Sequence, residues 1–134
     1  MTKNEEAAAY IEACRLNRNL HLCLYSYMDI AIHYDGATPE QIGRFLENLG
    51  LGQHTNVETI YEYLVEEPCN YLKYYLGYLE FLSLKQQAEK LWGTDYSDYR
   101  FHKFVLETGP SDFRSLGELV TAHPYPGQNF GNQS

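Results

Sequence analysis

Glu66 to Trp92 reads EEPCNYLKYYLGYLEFLSLKQQAEKLW. Pro68 suits the first turn of a helix, where its missing N–H is not needed, and Gly93 suits a stop just past Trp92. Tyr71, Tyr74, Tyr75 and Tyr78 fall at i, i+3, i+4 and i+7, so four phenols line one side of that helix, with Leu72, Leu76, Leu79 and Leu82 beside them. A core helix ordinarily carries Leu, Ile and Val. Each buried phenol brings a hydroxyl that must find a partner. Gly77, in mid-helix, costs about 1 kcal/mol against alanine, and is expected to let another backbone or a ligand come close.

The stretches on either side are also helical. Asn4 followed by Glu5 and Glu6 suits an N-cap with acid in the first turn. From Ala7 a long helix is expected to run to the Asp35-Gly36 turn; its half from Leu20 to Ile32 is apolar on nearly every side, as if surrounded by other helices. Asp29 and His33, four apart, can hydrogen-bond across one turn. Such a carboxylate could orient an imidazole and raise its pKa, preparing it to donate to developing negative charge. It could equally hold a histidine at a helix C-terminus. Thr38-Pro39-Glu40-Gln41 reads as a capping box with proline at the first helical position, and Thr55 with Glu58 as a second box. Ser97 and Ser111 are expected to cap two further helices, through Phe101 to Leu106 and Phe113 to Val120. No strand, internal repeat, heptad run or domain boundary is evident. The expectation is an all-α single domain of about six helices over residues 1–121, its long N-terminal helix packed on the tyrosine helix, and a loose tail over 122–134.

Composition narrows the function. A chain of 134 residues with 10 basic and 18 acidic side chains, net −8, is repelled by nucleic-acid backbones and anionic membranes, so neither is expected as a partner. Cys14, Cys23 and Cys69 are odd in number and lack CxxC spacing, which indicates neither a disulfide framework nor a cysteine zinc site. No secretory signal or spanning segment is visible, and a cytoplasmic location is expected. The motifs HExxH, GxSxG, GxGxxG and the Walker loop are absent. What remains is a set of donors, the phenols and His33, that can hold a carboxylate or an oxyanion but supply no nucleophile.

Three blocks, DIAIHYDGATPEQIGRFLENLGL, EEPCNYLKYYLGYLEFLSLKQQAEKLWG and DYSDYRFHKFVLETGPSDF, resemble in order and spacing the C-terminal part of the bacterial domain-of-unknown-function family 885. That family looks like a branch of the zincin-type metallopeptidases. The resemblance implies that these helices form one wall of an active-site cleft, with D-x-x-[IL]-H and P-x-x-x-x-x-Y-x-x-G segments facing substrate. Asp29 and His33 match the first, and Pro68, Tyr74 and Gly77 the second. Members commonly carry arginine four residues before the aspartate, where this chain has Tyr25. The HExxH-bearing part would precede residue 1, so zinc is expected only in a missing or partner segment, and this truncated chain is expected to be inactive alone. His33, Asp29, Tyr74, Tyr75, Tyr71 and Tyr78 are then the candidate substrate or oxyanion contacts. The alternative is a stand-alone helical binding or oligomerisation module, which uses the tyrosine face for a peptide or a second copy.

Overall fold

The structure, a computed structural model, describes residues 3–122. Six helices follow one another: α1 (Lys3–His33), α2 (Pro39–Asn48), α3 (Val57–Glu66), α4 (Asn70–Trp92), α5 (Asp98–Thr108) and α6 (Phe113–Ala122). Single 3-10 turns at Gly52–His54 and Gly93–Asp95 precede α3 and α5. No strand occurs among the described residues. The expected tail falls on residues 123–134, outside the described part; Ala122 is the last residue of α6. The chain divides into two compact units, residues 1–76 and 77–134.

In the first unit α1, α2 and α3 enclose Met28, Ile32, Ile42, Leu46 and Leu64. The long helix also meets the first turn of α4, where Tyr25 packs on Tyr71. It ends as the Asp35-Gly36 signal requires. Gly36 takes φ 69, and the Ala37 N–H donates back to the Ala31 carbonyl at 2.9 Å, satisfying a carbonyl that the helix end leaves free. The Thr38 box closes in both directions, with the Thr38 side chain accepting from the Gln41 N–H and the Gln41 side chain accepting from the Thr38 N–H. At Gly52 a Cβ would stand 2.6 Å from Glu47 Cγ, so only glycine fits that turn.

The second unit has a drier interior. Leu84, Ala88, Trp92, Phe101, Phe104, Leu116 and Val120 are buried together from the later part of α4 with α5 and α6. Trp92 and Phe104 meet edge to face at 5.7 Å.

Several local expectations are corrected. At Asn4 the helix is already in progress, so it is not an N-cap. Asn56, not Thr55, caps α3, accepting from the Thr59 N–H at 3.1 Å, while the Thr55 hydroxyl donates to the Leu51 carbonyl. Asp112, not Ser111, accepts from the Ser115 N–H at the start of α6. Pro68 lies in a turn, and α4 opens only after Cys69, which takes the left-handed φ of 62. The half of α1 expected to be surrounded has one covered side: Leu22, Ser26, Met28, Asp29 and Ile32 are buried, while Leu20, Tyr27 and Ile30 are exposed.

Candidate functional site

Asp29 and His33 sit on the covered side of α1. Asp29 is 2% exposed, and its Oδ1 lies 3.6 Å from His33 Nε2. The same nitrogen is 3.0 Å from the Leu64 carbonyl of α3. A carbonyl only accepts, so Nε2 carries the proton and donates to it. That leaves Nδ1 as the nitrogen available to an incoming group, on a side chain that is 34% exposed. In the neutral ring Nδ1 is an acceptor; it donates only in the imidazolium form. Asp29 Oδ2, and Ser26 Oγ one turn before it, are buried without a hydrogen-bond partner among the described residues. Burying a carboxylate with half its acceptors idle is costly, and structures built for stability alone avoid it.

The four phenols do not act as one row. Tyr71 is drawn into an aromatic cluster with His21 and Tyr25 of α1 and Tyr63 of α3. His21 stacks on Tyr25 at 4.2 Å, and Tyr25 meets Tyr71 at 4.5 Å. Burial, reinforced by a hydrogen bond with Tyr63, raises the Tyr71 pKa; burial and the neighbouring Tyr63 raise that of Tyr25. Burial, then the positive charge of Arg18, lowers that of His21. Tyr74 is 57% exposed, with the Lys73 ammonium 5.3 Å from its ring centre. Tyr75 and Tyr78 are half-buried. Gly77 is not a close-approach point within the chain, since nothing lies within 4 Å of where a Cβ would stand.

A mostly apolar cavity of about 230 Å³ opens beside the cluster, lined by Leu20, His21, Leu24, Tyr25 and Met28 of α1 with Leu46, Leu51 and Ile60 opposite. Neither His33 nor Tyr71, Tyr74, Tyr75 or Tyr78 lines it. Asn17 and Thr55 also line it; its aromatic polar members, His21 and Tyr25, were missed by sequence reasoning, although their spacing of four is the same signal that pairs Asp29 with His33. For a zinc ion the donors do not suffice. Asp29 and His33 are two ligands sharing one direction, and no group of three or more His, Cys, Asp or Glu converges among the described residues.

These features define an all-helical protein that offers hydrogen-bond donors, a buried carboxylate with its imidazole and an apolar cavity, but no assembled metal centre among the described residues. No helix there is long and apolar enough to cross a membrane. The chain belongs to the family described as bacterial protein of unknown function (DUF885), whose family model matches residues 6–120. No curated protein and no solved structure shows significant similarity to it.

Proposed function

We propose that this chain holds substrate for a zincin-like metallopeptidase centre and does not break bonds by itself, the zinc being carried on another segment or partner. The observation that carries the reading is Asp29, a buried carboxylate with one oxygen toward His33 and the other idle. Such a group positions the ring: it and the Leu64 carbonyl fix Nε2, and Nδ1 is turned to whatever binds. With the ring charged, Nδ1 donates to a peptide carbonyl or a terminal carboxylate. Tyr74 and Tyr75 are further phenolic donors on α4. Membership of the family adds support, as does the resemblance of Asp29, His33, Pro68, Tyr74 and Gly77 to the two segments described above.

The test is binding, since peptidase assays of this chain alone are expected to be blank. Short peptides with a free C-terminal carboxylate, titrated into the chain, should shift the His33 ring resonances. His33→Ala should weaken binding at least about tenfold with an unchanged circular dichroism spectrum. No binding by the native chain, or binding indifferent to His33→Ala, would end this reading.

A second reading, a stand-alone helical binding or oligomerisation module, draws on a different observation. Along α4 the side chains of Tyr74, Leu76, Leu79, Phe81 and Leu82 are exposed, and apolar surface of that kind usually meets a partner. Leu79→Glu with Leu82→Glu, neither of which the first reading uses, should abolish association through α4 and leave peptide binding unchanged, which separates the two readings.

A further inference from the structure

The more exposed side of α1, where Tyr27 stacks on Phe45 of α2 at 4.6 Å and Leu20 borders the cavity, carries an ordered pattern. Ala9, Ala13, Leu16, Leu20, Cys23, Tyr27 and Ile30, followed by Tyr34 in the turn just past the helix end, are all exposed and recur at alternating intervals of four and three. That is the spacing of a coiled-coil seam, sustained for nearly four heptads. Within it Leu20 is 56% exposed, Tyr27 55% and Tyr34 86%. In addition, every described side chain from Asn4 to Arg18 is exposed, so the first half of α1 is a helical arm with neither face covered. A helix of that length is marginal in water without tertiary packing.

We infer that α1 pairs with α1 of a second copy, antiparallel, about a two-fold axis between Leu20 and Cys23. Three features select this occupant. The first is size. In that register Ala9 lies level with Tyr34, Ala13 with Ile30, Leu16 with Tyr27 and Leu20 with Cys23, so three of the four levels set a small side chain against a large one. A parallel pair would set aromatic on aromatic at one end and alanine on alanine at the other.

The second is charge. Two chains of net −8 repel each other, yet the residues bordering the seam are Tyr10, Glu12, Asn17, Asn19, Leu24, Ser26, Ala31 and His33. The only acid among them, Glu12, is already bonded to Arg15 at 2.6 Å. No column of like charge therefore faces itself.

The third is area. Two part-exposed tyrosines, two leucines and an isoleucine, with the smaller residues between them, leave on the order of 600 Å² of apolar surface per copy, hence about 1,200 Å² across the pair, where stable interfaces begin. Antiparallel pairing also lays each bare arm along the packed half of its mate, so each folded body meets only an arm. The inference does not require the substrate-holding reading: none of its seam residues is a candidate substrate contact, although His33 borders the seam.

Sedimentation equilibrium of the native chain up to about 100 μM tests it. A dimer is expected, weakened at least about tenfold by Leu20→Glu with Ile30→Glu and left intact by Tyr74→Glu. Should the first pair of changes disturb folding, Leu16→Glu with Tyr34→Glu lies farther from the core and must give the same result. A native chain that stays monomeric throughout, or a dimer that neither seam variant weakens, overturns the proposal.

Discussion

The two units are built from different materials. Residues 77–122 bury an almost wholly apolar set, with tryptophan and phenylalanine meeting edge to face and one orphaned polar atom, Trp92 Nε1. The first unit, beside its aliphatic core, buries a carboxylate and a serine and carries a part-buried stack of histidine on tyrosine. A core made for stability uses side chains that need no partners. Polar groups buried with unmet needs are retained where they do something else. On the proposed reading, substrate is held by the unit with the buried carboxylate, residues 1–76.

The largest expected effect tests the apolar half. Phe104→Ala removes a fully packed ring and should cost about 4 kcal/mol. Urea denaturation followed by the fluorescence of Trp92, the sole tryptophan, reports on this unit directly. A loss below about 1 kcal/mol would mean that the ring is not packed as described.

The opposite sign is expected in the other half. Asp29→Leu replaces a part-satisfied carboxylate with an apolar side chain of similar size and should stabilise by about 1 to 2 kcal/mol. His33 keeps its bond to the Leu64 carbonyl. Circular dichroism melting checks this. If Asp29→Leu instead cost as much as Phe104→Ala, Asp29 would be a structural residue and the contrast between the units would fail.

How much of this was legible beforehand differs by element. The Thr38-Pro39-Gln41 box and the stop at Trp92 were read correctly, since each depends on a few adjacent residues. The cap of α3 was displaced by one because Thr55 with Glu58 and Asn56 with Thr59 are rival pairings one residue apart. Pro68 was placed in the helix because nothing in the sequence shows that Cys69 turns left-handed. The Asp29 and His33 pair was visible from spacing, but not which ring nitrogen is engaged, because the Leu64 carbonyl arrives from another helix. The aromatic cluster draws on α1, α3 and α4 and has no local signature. The α1 seam was hidden because Leu20 to Ile32 is apolar on both sides. Only exposure separates the packed side from the open one.

The smallest expected effects concern pH, and His21 of the first unit and Tyr96 of the second should respond at opposite ends. In the first, the His21 pKa lies below its ordinary 6.5, because burial disfavours the charged ring and Arg18 repels it. Its contribution is therefore complete above 6.5 and is lost as pH falls through the lowered value. In the second unit the Tyr96 pKa is raised above its ordinary 10, by burial first and then by its hydrogen bond to Asp98 at 2.7 Å. That contribution is complete below pH 10 and is lost as pH rises beyond it, because the unfolded chain ionises the phenol first. Asp98, whose pKa is lowered by its bonds from Tyr96 and Lys85, weakens the same corner only below its ordinary 3.8, well clear of the His21 range. Stability profiles of His21→Gln and Tyr96→Phe separate these effects: the first should flatten only the fall just below pH 6.5, and the second only the fall above pH 10. A Tyr96→Phe protein as sensitive to alkali as the native chain would remove the second unit's phenol from the comparison and assign the alkaline fall to other phenols, Tyr25 and Tyr71 of the first unit among them.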